Sequence, residues 1–185
     1  SIDGGTTNII ANLQFSEGNA GECDMVYVPW PLQSGTVISG RCQSTTGSTS
    51  TTVGINVALS GRADIPRFTR SVTYGATTAD SGGTSIDSGA TANTKGTAVE
   101  LSAATTDAIK YLIVCIGSQN NTAMTDCRWA MDILVGSTVV VPNILFTGFS
   151  LLDCIAPHLF GFEVFIPKGV QLQARAQCTI TDATD

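Results

Sequence analysis

Ile133-Leu134-Val135-Gly136-Ser137-Thr138-Val139-Val140-Val141-Pro142-Asn143-Ile144-Leu145-Phe146 is the stretch that decides the fold. It holds two short runs rich in β-branched residues, parted by Gly136 and Ser137. Runs of this length and composition, bounded by turn residues, read as strands. The stretch also recurs. Ile2-Asp3-Gly4-Gly5-Thr6-Thr7-Asn8-Ile9-Ile10-Ala11-Asn12-Leu13-Gln14-Phe15 aligns to it without gaps at an offset of 131. Five of the fourteen positions are identical, against roughly one by chance at typical composition.

The same offset carries Cys23 onto Cys154. After a three-residue shift, Gly35 matches Gly169, Arg41 matches Arg175 and Gln43 matches Gln177, with Pro31 and Pro167 upstream. A repeat of this length means duplicated supersecondary structure, not a short-period solenoid. The copies are incomplete in complementary ways. The first lacks counterparts of residues 96–131, and the second stops where the first continues into 51–59. Missing strands leave unpaired backbone donors and acceptors, which invite pairing with another chain. A composite of the two copies, a strand from another subunit, and a longer parent polypeptide all remain open.

Outward from the repeat, period-two alternation continues. Val53, Ile55, Val57 and Leu59 alternate with small or polar residues, and Val170, Leu172 and Ala174 alternate with Gln171, Gln173 and Arg175. Strands are expected at 25–28, 37–41, 52–59, 97–101, 111–116, 129–135, 139–146, 162–166 and 170–177. Residues 103–110 are the one plausible helical turn. The expected fold is an all-β, jelly-roll-like β-sandwich with an internal duplication of strands. It divides into a partial first repeat at 1–62, an extended connecting arm at 63–95, and a second repeat at 96–185. The arm carries Arg62, Arg67 and Arg70, then turns to Ala, Thr, Ser and Gly. A stretch this long without structure of its own is normally functional or a linker.

Composition narrows the function. The 185 residues are 43% hydrophobic and only 13% charged, so most of the chain is expected to fold. The net charge of −6 argues against nucleic-acid binding, which needs clustered Lys and Arg. No run of 18 apolar residues implies a membrane span, and Ser1–Gly5 shows no signal-peptide features. The chain does not begin with Met. The single histidine, His158, removes most metal and His-dependent catalytic schemes. With Asp153 and Ser150 it lacks a Gly-x-Ser-x-Gly elbow. The aspartates form no calcium loop, and Asn120-Asn121-Thr122 carries little weight without a secretory signal. No catalytic residue, metal site or cofactor is expected, and the chain is not read as an enzyme.

Cys23, Cys42, Cys115, Cys127, Cys154 and Cys178 form no C-x-x-C pair. Several lie in apolar runs, where a buried free thiol acts as a small hydrophobe. Trp129, in an apolar strand, reads as core. Trp30, between Pro29 and Pro31, reads as an interface anchor to which Tyr27 adds. Arg62, Arg67 and Arg70 complete the candidate interface, because basic side chains on an acidic chain attract an acidic neighbour. Arg41 and Arg175 read either as subunit or ligand contacts or as guanidinium clamps on backbone carbonyls or an Asp. The clamp is favoured, because folding would require it in both copies.

Three pieces of sequence then combine. Asp-Ile-Leu-Val-Gly at 132–136, Val-Pro-Asn-Ile-Leu at 141–145, and Phe-Ile-Pro-Lys-Gly-Val-Gln-Leu-Gln-Ala-Arg-Ala-Gln at 165–177 follow one another. The pattern resembles virion structural proteins of tailed bacteriophages. Residues 28–44 look like a second instance. The resemblance covers about 50 residues at one end and 45 at the other. It implies a β-sandwich component of a phage particle, and no catalytic residue comes with it. The leading expectation is a capsid decoration or cement protein in the virion, assembled in the host cytoplasm. Its partners would be copies of itself and proteins such as the major capsid protein. A tail fibre, collar or baseplate component is the nearest alternative. A carbohydrate-binding β-sandwich for host attachment, reading a glycan through Trp30 and Tyr27, is another.

Overall fold

The computed structural model describes residues 9–11, 30–42, 70–77, 83–116, 127–148 and 158–181. Among them there is no helix. The strands are β1 (Val99–Ser102), β2 (Ile109–Ile116), β3 (Cys127–Val135), β4 (Thr138–Gly148), β5 (His158–Ile166) and β6 (Leu172–Cys178). They form two antiparallel sheets, one ordered β1-β6-β3-β4 and the other β2-β5. Among the described strands, only β3 and β4 are joined as a hairpin within one sheet. Every other connection between successive strands passes to the opposite sheet.

Alternation explains what each strand buries. On β6, Leu172, Ala174, Ala176 and Cys178 face the core while Gln173, Arg175 and Gln177 face away and are half-buried. On β3, Cys127, Trp129, Met131 and Ile133 face the core. Val114 and Ile116 of β2, with Ile166 of β5, cover it from the second sheet, so the two sheets share one core. Trp129 and Phe146 are directly opposed on β3 and β4, and their rings stack at 5.9 Å with 14° between planes. Burying these two rings removes apolar area from water and stabilises the sheet.

β3 is buried on both faces, because Ala130, Asp132 and Leu134 on its other side are also covered. A central strand tolerates a near-continuous apolar run, and Trp-Ala-Met-Asp-Ile-Leu-Val departs from one only at Asp132. Beside that position β4 carries a bulge. Met131 pairs with Ile144 and Ile133 with Val141, which leaves Pro142 and Asn143 opposite Asp132. Pro142 has no N–H to give to a ladder, and Asn143 sits at φ 51°, a left-handed conformation that Asn tolerates. The extra residue resets the alternation, so Val141 and Ile144 both reach the core.

Residues 83–96 fall largely within the segment read as a connecting arm. They pack on the chain's own sheet. Ser88 is fully buried against Cys178, and the Asn93 and Gly96 amides donate to the Cys178 and Ala176 carbonyls, each at 2.7 Å. These bonds extend the β1 edge along β6. Tyr74 and Ile86 pack against the core from the same segment. Gly96 is required by space. A Cβ there would lie 2.5 Å from the Asp87 carbonyl oxygen and 2.9 Å from the Gly89 nitrogen, both backbone atoms. Gly96→Ala is expected to cost about 1–3 kcal/mol, read as a lower urea midpoint with unchanged slope.

Two local expectations are corrected. Residues 103–110 hold no helical turn; bends surround Thr105, and β2 already starts at Ile109. Residues 37–41 do not form a strand; within that stretch only Ile38 makes a bridge. His158 opens β5. The expected strands at 25–28 and 52–59 lie outside the described residues, as does almost all of 2–15.

Candidate functional site

The densest polar arrangement is centred on Asp132, whose side chain is 5% exposed. Its Oδ1 accepts from Lys95 Nζ and from the backbone N–H of Asn143, each at 2.9 Å. Its Oδ2 accepts from Arg175 Nε at 3.0 Å. Lys95 Nζ also donates to the Ala130 carbonyl at 2.9 Å. Each partner is placed by a different element. Arg175 is the cross-strand neighbour of Asp132 on β6, Asn143 is delivered by the β4 bulge, and Lys95 comes from the segment preceding β1.

Electrostatics set the state of this carboxyl. Burial acts most strongly and raises its pKa. The Asn143 amide, the hydrogen bonds from Lys95 and Arg175, and the Lys95 charge together outweigh burial. The net result is a pKa below the ordinary 3.8. Asp132 is therefore ionised at neutral pH, with two cations and one amide satisfying it. An aspartate held this way is a poor acid or base near neutrality and leaves little room for a further ligand. The arrangement fastens strands together.

A second polar arrangement fixes the turn before β6. Thr105 is 2% exposed and bonds to that turn four times. Its amide donates to the Val170 carbonyl and its carbonyl accepts from the Gly169 amide, both at 2.8 Å. Its hydroxyl donates to the Pro167 carbonyl at 2.7 Å and accepts from the Val170 amide at 3.2 Å. The hydroxyl thus stands where the hydrogen bond of a closed turn would run. Gly169 takes φ 80°, which the turn demands at that position.

Of the expected interface residues, only Trp30 and Arg70 lie among the described residues. Trp30 is half-buried. Arg70 forms an exposed ion pair with Asp107 of its own chain at 2.8 Å, an arrangement that contributes little to stability in water. Tyr27, Arg62 and Arg67 lie outside the described residues. Trp129 is in the core, and its indole N–H has no partner there. Cys42 is exposed, Cys115 is half-buried, and Cys127 and Cys178 are buried. No cluster of three or more metal-ligating side chains occurs among the described residues.

The chain matches no protein family model, no curated protein and no solved structure. The reading of the site therefore rests on its own geometry. Sequence reasoning had singled out Asp132, Asn143 and Arg175 as members of one pattern without joining them. It had missed Lys95 and Thr105. The available signal for Lys95 was its isolation, as the lone cation between Arg70 and Lys110.

Proposed function

We propose that this chain is a structural protein of a tailed-phage virion, a decoration or cement protein acting through non-covalent contacts between subunits. One observation carries the reading. Asp132, Asn143 and Arg175 come from the three pieces of sequence that resemble phage virion proteins, and they meet at one buried carboxylate. The pattern therefore has a folding role. The two facing sheets, with all but one strand connection passing between them, fit a jelly-roll-like β-sandwich. The duplication belongs to the same reading. Gly35 and Gly169 both sit in turns with nearly equal φ, 84° and 80°.

A protein of this kind works by avidity, because a lattice multiplies weak contacts without new chemistry. Low charge reduces repulsion between close neighbours. The test is gold-labelled antibody imaging of purified particles, paired with a glycan array on the isolated chain. Regularly spaced label over the head, with no glycan signal, is the expected result. Label confined to the tail selects a fibre, collar or baseplate component. Unlabelled particles together with a glycan signal contradict a structural role.

A further inference from the structure

We propose that residues 70–77 are a clasp, which holds the N-terminal residues 9–11 against the β-structure that follows residue 96 of the same chain. The clasp assigns a partner to the N-terminal stretch, and that partner is the chain itself. Its contacts do not depend on the duplication or on a virion role.

The contacts alternate with a period of two, as along an extended chain. On one side, the Ser71 and Thr73 hydroxyls donate to the Ile9 and Ala11 carbonyls. Donors and acceptors advance together by two residues, so the two segments run side by side in the same direction. On the other side, Arg70 pairs with Asp107 at 2.8 Å. The Tyr74 hydroxyl accepts from the Thr106 amide at 3.0 Å and shares a hydrogen bond with the Thr106 hydroxyl at 3.2 Å. Gly75 then bends the chain at φ 78°. A Cβ there would meet Leu101 of β1 and the Thr84 hydroxyl, both at 3.2 Å, and that hydroxyl donates to the Gly75 carbonyl at 2.9 Å.

The two sides differ in strength. Tyr74 packs its ring against the core, so the clasp is fixed to the β-structure chiefly there. The Arg70–Asp107 pair is exposed and adds little. The grip on residues 9–11 uses side-chain hydroxyls in place of a backbone ladder, and it fits carbonyls spaced two residues apart. The same contacts made between two copies would be a domain swap. A tether within one chain supplies an effective concentration on the order of 0.1–1 mM, above that of a second copy in dilute solution. Closure within the chain therefore wins.

Nuclear Overhauser spectra of the full chain test this, on a uniformly labelled sample and on an equal, co-refolded mixture of labelled and unlabelled copies. Contacts between 71–73 and 9–11 should appear in the uniform sample and be absent from the isotope-filtered spectrum of the mixture. Tyr74→Phe keeps the ring and should speed exchange of the Thr106 amide by about tenfold, the loss of one hydrogen bond. Ser71→Ala combined with Thr73→Val should abolish the contacts to 9–11 and leave those between Tyr74 and Thr106 in place. Missing contacts in the uniform sample, contacts between copies in the mixture, or variants that match the parent would each overturn the inference.

Discussion

Asp132→Ala should lower the unfolding free energy by about 3 kcal/mol, toward the lower end of the range for breaking a buried ion pair. The change leaves Lys95 and Arg175 without their anion and the Asn143 amide without its acceptor. Arg175 is 34% exposed and Lys95 16%, so water recovers part of the loss. Total stability of a domain this size is on the order of 5–15 kcal/mol, so the effect is a large fraction of it. Asp132→Asn keeps the shape and an oxygen for Asn143 but removes the charge, and should cost about half as much. Acid separates the two variants. The folded pKa of Asp132 lies below its unfolded value, so its contribution is complete at neutral pH and down to about pH 4. It is then lost as pH falls through the lowered pKa. Urea titrations across this range should show the parent losing stability toward acid more steeply than the Asn variant.

Thr105→Val is the second large effect. Valine keeps the volume and both backbone bonds but removes the hydroxyl between the Pro167 carbonyl and the Val170 amide. Two backbone groups are then left unpaired near a fully covered position. At about 1–3 kcal/mol for each unsatisfied group, with water recovering part at exposed Pro167, a total loss of about 2–4 kcal/mol is expected. Thr105→Ser retains all four bonds and loses one methyl, at about 1 kcal/mol. Urea midpoints rank the two variants. Hydrogen exchange locates the damage, since the Val170 amide should lose protection in the Val variant and keep it in the Ser variant.

Elements with strong local patterning were legible. The alternation in Leu172, Ala174 and Ala176 fixes a strand with one buried face, and the paired runs around Gly136 form β3 and β4. Residues 37–41 occupy the matching place in the first copy and make only one bridge among them, because a strand is defined by its neighbours and local sequence does not name them. The helical turn expected near Ala103 failed for a related reason. Ala-Ala-Thr-Thr-Asp has no local objection to a helix, but the Thr105 backbone is already bonded to a turn 62 residues away.

The Asp132 cluster shows both sides of this limit. Its aspartate, its Pro-Asn bulge and its arginine stand out as separate signals, and an Asp was among the partners foreseen for such an arginine. Lys95 was hidden by its place in a Thr-, Gly- and Ala-rich segment that reads as a connection. A buried carboxylate with one cation and one amide is underpaired in a covered sheet face, and the structure answers with a second cation from that segment.

One carboxylate joins Asp132, Asn143 and Arg175, drawn from three separate stretches of sequence. A double-mutant cycle of Asp132→Asn and Arg175→Gln, followed by urea unfolding at neutral pH, measures that coupling directly. An interaction energy above about 1 kcal/mol is expected, with the double variant more stable than the sum of the two losses implies. Additivity within about 0.5 kcal/mol would contradict it.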